Sequence, residues 1–109
     1  MKNQDFAQRV IEVVKLVPYG RVTSYGLIAN YIGTGGSART VGWVLGKSIE
    51  GREHAPAHRV VNSVGLLSGA HAFPKEDGME KRLAKEGITV EKNKVVNFKT
   101  LIWDPSSEL

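Results

Sequence analysis

The segment Thr23-Ser24-Tyr25-Gly26-Leu27-Ile28-Ala29-Asn30-Tyr31-Ile32-Gly33-Thr34-Gly35-Gly36-Ser37-Ala38-Arg39-Thr40-Val41-Gly42-Trp43-Val44-Leu45-Gly46 carries the punctuation of two short helices. Thr23 or Ser24 supplies a side-chain oxygen able to cap the free N–H groups of a following helix. Tyr25, Leu27, Ile28, Ala29, Tyr31 and Ile32 provide its apolar residues, and Gly33 stands where a left-handed C-terminal cap is expected. Thr34-Gly35-Gly36 reads as a flexible turn. Ser37 can cap a second helix carrying Val41, Trp43, Val44 and Leu45 before Gly46. Two short helices joined by a glycine-containing turn are a helix-turn-helix candidate. Spacing alone carries this reading weakly, because many helical hairpins bind no DNA.

Working outward, Phe6, Ala7, Val10, Ile11, Val13, Val14 and Val17 recur at helical spacing, which predicts an amphipathic helix from Gln4 to about Leu16. Pro18 and Gly20 end it, and Pro18-Tyr19-Gly20-Arg21-Val22 redirects the chain. Downstream, Lys47 to Ala55 is polar and reads as a loop. Val60 to Leu67 suggests extended structure around an Asn/Gly turn, and Ser68 to Pro74 an irregular loop. Lys75 to Glu86 fits a helix with Met79 and Leu83 inward and Gly87 as its stop. Val90 and Val95-Val96 flank a turn at Glu91-Lys92-Asn93-Lys94.

Composition narrows the chemistry. The 109 residues suit one domain over 1–109 with a modest core, and 41% hydrophobic with 24% charged residues is ordinary for a globular chain. There is no cysteine, so disulfides, thiolate metal sites and cysteine-transfer chemistry are excluded from these residues. The three histidines, His54, His58 and His71, have no zinc-ligand spacing, and no cofactor is expected. A net charge of +4 is compatible with an anionic partner, but the basic residues are spread along the chain and do not by themselves establish one. No apolar run reaches the roughly 20 residues of a membrane span, and Met1 to Asp5 lacks the apolar segment of a signal peptide. The expectation is a cytoplasmic monomer with no membrane partner, associated with the nucleoid if bacterial.

The stretch Ala55-Pro56-Ala57-His58-Arg59-Val60-Val61 resembles the Pro-Cys-His-Arg-Val motif of the O6-alkylguanine-DNA alkyltransferases, with Ala57 where those proteins carry the alkyl-accepting cysteine. Further matches precede it in the family's order. They are Pro18-Tyr19-Gly20-Arg21-Val22, Ser24-Tyr25-Gly26-Leu27-Ile28-Ala29 and Ala38-Arg39-Thr40-Val41-Gly42. The end, Leu101-Ile102-Trp103-Asp104-Pro105, is similar to the C-terminal segment common in alkyltransferase-like proteins. The resemblance spans roughly Phe6 to Pro105 and corresponds to the C-terminal domain of the full enzymes. An alanine methyl has no lone pair and no ionisable proton, so it cannot be a nucleophile.

The resemblance implies a role for each matched residue. Tyr25 pushes the backbone of the target nucleotide, and Arg39 fills the space vacated in the base stack. The second helix, with Ser37 and Thr40 at its start, docks in the minor groove. Tyr25, Pro56, Ala57, Val60, Ala70 and His71 form the lesion pocket, with Ala70 where the enzymes usually have a tyrosine. His58 and Glu86 are the remnant of the network that activates the cysteine in the enzymes. Arg59 reads as a buried structural arginine. Lys47-Ser48 stands where the family has a bracing asparagine, and Ser48 can supply only some of the backbone hydrogen bonds that bracing would take.

The fold expected is therefore a small, α-rich α/β domain with a helix-turn-helix. The function implied is recognition of O6-alkylguanine in double-stranded DNA by nucleotide flipping, without alkyl transfer, flagging damage for nucleotide excision repair proteins. Two other classes stay open at this point: an O6-methylguanine-DNA methyltransferase with its cysteine replaced, and a helix-turn-helix transcription regulator.

Overall fold

A computed structural model describes residues 3–33, 36–50 and 55–109 of the chain. Helix α1 spans Asn3–Lys15, and Phe6, Val10, Val13, Val14 and, just past its end, Val17 are buried. A helix of this length is marginal alone in water. Its stability comes from that stripe, where each buried valine contributes roughly 1.5–3 kcal/mol. The turn after it closes through Arg21 N–H to the Pro18 carbonyl at 3.1 Å, with Gly20 at φ +82°, a region glycine enters without a Cβ penalty.

Strand β1, Thr23–Ser24, pairs in parallel with β2, Val60–Val61, placing Thr23 opposite Val60. The seam is short but fastened from its other side. Val22 donates to the Leu101 carbonyl at 3.1 Å and accepts from the Trp103 N–H at 2.7 Å. Arg21 adds a bond from Nε to the Leu101 carbonyl at 2.9 Å and an ion pair to Glu108 at 2.9 Å. The C-terminal segment, with helices α5 (Phe98–Leu101) and α6 (Pro105–Glu108), is thereby held beside the seam. Successive strand residues face opposite sides, so Val60 joins one hydrophobic cluster and Val61 the other. The first cluster holds α1 together with helices α2 (Tyr25–Ile32) and α3 (Ala38–Glu50). The second gathers Val22, Val61, Leu67, Met79, Leu83, Ile88 and Val95. This is the helix-rich α/β arrangement expected.

Two expectations about elements change. Helix α3 does not stop at Gly46 but continues to Glu50, so the first part of the expected Lys47–Ala55 loop is helical. A mid-helix glycine costs about 0.5–1 kcal/mol, and beyond it Ser48 is buried with its hydroxyl bonded to the Leu45 carbonyl of the same helix. Residues 51–54 of that loop, and Thr34 and Gly35 of the interhelical turn, lie outside the described residues. The expected helix from Lys75 to Glu86 is divided. A 3-10 turn at Lys75–Asp77 gives way to extended Gly78, and helix α4 covers Met79–Lys85. Met79 and Leu83 do point inward. Strands β3 (Val90–Glu91) and β4 (Lys94–Val95) pair antiparallel. Lys92 and Asn93 between them have φ +50° and +66°, the paired left-handed residues of a tight hairpin turn.

Candidate nucleic-acid interface

Local chemistry builds the two helices of the helix-turn-helix. Ser24 is extended (φ −123°, ψ 159°), and its Oγ accepts from the Leu27 N–H at 3.1 Å. Gly33 closes α2 at φ +66°, donating to the Ala29 carbonyl at 2.9 Å. The turn then presses on α1: a Cβ at Gly36 would lie 2.1 Å from Phe6 Cε1, so only a hydrogen fits. Ser37 starts α3 as expected, its Oγ accepting from the Thr40 N–H at 3.2 Å and sharing a hydrogen bond with Thr40 Oγ1 at 3.1 Å. Val41, Val44, Leu45 and Ser48 are buried along one side of α3, leaving Arg39, Thr40, Trp43 and Lys47 exposed on the other. Arg39 has no ion pair among the described residues.

A cleft of about 60 Å³ opens between α2, α3 and the turn at Ala57. Tyr25 lines it from the first position of α2, Gly42, Leu45 and Gly46 from α3, and Gly69, His71, Ala72 and Phe73 from the facing segment. Tyr25 and Gly69 meet closely, since a Cβ at Gly69 would lie 2.5 Å from the phenol oxygen. Burial pushes the Tyr25 phenol above its ordinary pKa, with the Ser68 hydroxyl pulling the other way. The phenol therefore stays protonated at neutral pH.

Of the residues expected at the pocket, Tyr25, Ala57 and His71 line this cleft. Val60 does not; its side chain is wholly buried in the core beneath, where strand pairing with Thr23 holds it. Pro56 also lies off the lining, immediately before the turn. Ala70 faces an adjoining groove of about 690 Å³ that shares His71 and Phe73 with the cleft. The difference arises because Ala70–Ala72 form a 3-10 turn, which directs neighbouring side chains to different sides. Phe73 escaped the sequence reading. Its one signal is being a large apolar residue within an otherwise small and polar loop. In the fold its ring lies 5.0 Å from the Arg82 guanidinium, which Asp77 holds through an ion pair at 3.2 Å.

The turn Ala57–Arg59 is a single 3-10 turn, anchored by its neighbours. Ala57 N–H donates to the Ala55 carbonyl at 2.8 Å and Arg59 N–H to the Pro56 carbonyl at 2.9 Å. His58 Nε2 lies 2.6 Å from Glu86 Oε2, and Arg59 Nε reaches both Glu86 oxygens at 3.0 and 2.9 Å. Gly20 N–H completes the set, donating to Glu86 Oε1 at 2.8 Å. Arg59 also donates to the Val17 carbonyl at 2.9 Å and sits 5.7 Å from the Tyr19 ring centroid. Burial alone would raise the Glu86 pKa, but hydrogen bonds from Arg59, Gly20 and His58 prevail and hold it below the usual carboxylate range. Burial lowers His58, and the attraction of Glu86 only partly offsets this. At neutral pH the pair is thus a neutral imidazole donating Nε2–H to a carboxylate. Ser48 donates its hydroxyl proton to the Leu45 carbonyl of its own helix at 2.8 Å, a back-bond that helical serines commonly make.

A family model for the DNA-binding domain of 6-O-methylguanine DNA methyltransferase matches residues 5–88. The chain belongs to that family. The match includes the helix-turn-helix, the turn at Ala57 and Glu86. Alkyltransferase-like protein 1 of Schizosaccharomyces pombe is 33% identical, covering 96% of this chain and 100% of that protein. A crystal structure of that relative with damaged DNA containing O6-carboxymethylguanine superposes with a TM-score of 0.79 at 34% identity, over 96% of this chain and 100% of that one. The DNA base-flipping protein of Escherichia coli is 35% identical over 94% of this chain and 78% of that protein. Family members that are enzymes by name also match. The methylated-DNA–protein-cysteine methyltransferase of Mycobacterium tuberculosis is 41% identical over 63% of this chain and 41% of its own length.

Proposed function

We propose that this chain binds O6-alkylguanine in double-stranded DNA, extrudes the nucleotide from the stack and holds it without transferring the alkyl group. The observation that carries the reading is the meeting of three elements at a cleft that shares His71 and Phe73 with the larger groove beside it. Tyr25, α3 and the Ala57 turn converge on the cleft, the chain has no cysteine, and we read Ala57 as standing where the family's motif carries its nucleophile. Extrusion costs a few kcal/mol of unstacking, which Arg39 offsets by entering the vacated space with its planar, always-charged guanidinium. Tyr25 turns the nucleotide inward, and the backbone of the Ala57 turn meets the base. The chain offers no thiol as a methyl acceptor, and the phenol of Tyr25 at the cleft is protonated. A long-lived protein–lesion complex is then the product, suited to recruit nucleotide excision repair proteins.

Matched duplexes with and without one O6-methylguanine test this directly, with binding read by fluorescence anisotropy and the protein followed by intact mass. The lesion duplex should bind at least tenfold more tightly, with no methyl mass gain on the protein. Equal affinity for both duplexes, or strong preference for one undamaged operator sequence, would contradict the proposal. So would stoichiometric methylation.

A further inference from the structure

The indole of Trp43 is 66% exposed, although tryptophan presents a large apolar surface that proteins normally bury or place against a partner. It is not a core residue displaced by crowding, because α3 buries Val41, Val44, Leu45 and Ser48 on its other side. At 3.6 residues per turn, Arg39, Trp43 and Lys47 fall within about 80° of one another and recur about every 6 Å along the axis. Lys47 Nζ lies 5.7 Å from the Trp43 ring centroid. Between Ser37 and Ser48 there is no aspartate or glutamate. Over that stretch the exposed side of α3 is therefore a cation, an aromatic ring and a cation in line, with the acidic residue Glu50 at the helix end, beyond Lys47.

We infer that Trp43 and Lys47 form a second, lesion-independent contact with DNA, continuous with Arg39. The indole lies along the deoxyribose and base-edge wall of the groove, and Lys47 meets a phosphate. This rests on the lesion-binding reading above and extends it to the duplex beside the lesion. The stripe of about 12 Å matches three to four base-pair steps at 3.4 Å each. The indole N–H is a single donor, and every base pair offers minor-groove acceptors to such a group. The contact therefore adds affinity without adding sequence preference. A protein partner is the less fitting occupant, because a ring bracketed by two cations suits a phosphate-lined surface.

Trp43→Ala should weaken binding to both the O6-methylguanine duplex and its undamaged match about tenfold, leaving their ratio unchanged. Trp43→Phe, which keeps an aromatic ring, should recover most of the loss. Lys47→Ala should reduce the slope of log affinity against log salt by about one. Trp103 is only 3% exposed, so acrylamide quenching of wild-type emission reports chiefly on Trp43, and either duplex should protect it. A wild-type protein that prefers the lesion while Trp43→Ala binds as well as wild type would overturn this inference and leave the lesion reading standing. A wild-type protein without lesion preference would sink that reading. There, loss of affinity in Trp43→Ala would still support the contact, and unchanged affinity would overturn it and return the exposed ring to a protein partner.

Discussion

Replacing Glu86 by glutamine should destabilise the protein by about 3 kcal/mol, the lower end of the range for removing one partner of a buried ion pair. The Glu86 side chain is 5% exposed, and its partners Arg59 and His58 are 15% and 14% exposed. Their residual hydration is the reason for choosing the lower end. Glutamine keeps the shape and an oxygen for the Gly20 N–H, so the substitution removes charge rather than volume. The Arg59 guanidinium then retains the Val17 carbonyl and the Tyr19 ring, which do not neutralise it. For a domain of this size, about 3 kcal/mol corresponds to a fall of roughly 10 °C or more in melting temperature. Urea denaturation at pH 7.5 measures the free energy, and a calorimetric scan the temperature. Removing Arg59 together with Glu86 should cost less than the sum of the single losses by at least about 1 kcal/mol, because the orphaned charge goes too. A single-mutant loss below about 1 kcal/mol, the size of an exposed pair, would refute the assignment of Glu86 as a buried hub.

The pH dependence has a defined sign. The folded His58 pKa is lowered, so protons bind the unfolded chain first, and stability should fall as pH drops below the unfolded histidine value of about 6.5. Glu86, also lowered, adds a further loss below about pH 4.3, and His58→Gln should flatten the first step while leaving the second; denaturation at several pH values distinguishes the two. Gly69→Ala meets no backbone strain at φ −95° but sets a Cβ against the Tyr25 phenol oxygen. It should weaken lesion binding about tenfold with little change in melting temperature, and by less in a Tyr25→Phe background, where the clash is gone; the same loss in both backgrounds would show that the contact does not matter. Ala57→Cys places a thiol beside the His58–Glu86 pair and should accept a methyl only slowly, since a misplacement of about 1 Å can cost on the order of a hundredfold in rate and the Ser48 hydroxyl proton goes to the Leu45 carbonyl of its own helix. Intact-mass kinetics would expose rapid, stoichiometric transfer as evidence for an enzyme lacking only its nucleophile.

Helix α1 and the caps of the helix-turn-helix were legible because each depends on neighbours within four residues. Ser24, Gly33 and Ser37 make the bonds their positions predict. The extension of α3 past Gly46 was not, because local propensity disfavours it and the burial of Ser48 shows only in the fold. The seam of β1 with β2 has only two residues on each side, too few for a period-two pattern, and its stability depends on Arg21 and a segment about 80 residues away. The pairing of His58 with Glu86 was reached through resemblance, since 28 positions separate them and no spacing rule connects them. The lining residues Gly42, Gly46 and Gly69 gave no chemical signal, as what each contributes is the absence of a side chain. Ala70 shows what residue counting from Ala57 does not convey: in the 3-10 turn it lines the groove that adjoins the cleft.

The methyl of Ala57 is buried in the first core cluster, but the hydrogen bonds that shape the turn do not involve the side chain at position 57. The turn's backbone bonds run to Ala55 and from Arg59 to Pro56, and His58 and Arg59 tie it to Glu86. Glu86 is in turn fixed by the Gly20 N–H. Substituting a small side chain at 57 leaves each of these bonds intact, so the cleft and the reactivity within it are separable properties of the fold. On the proposed reading, binding depends on Tyr25, Arg39 and the shape of the turn, while transfer would need a nucleophile that the shape does not require. The same reasoning gives the His58–Glu86 pair a role that needs no thiol. With Arg59 it forms a buried polar cluster, and removing one member leaves the others short of a partner, at a cost to the fold rather than to catalysis. On the proposed reading, selection for lesion binding alone is enough to keep it.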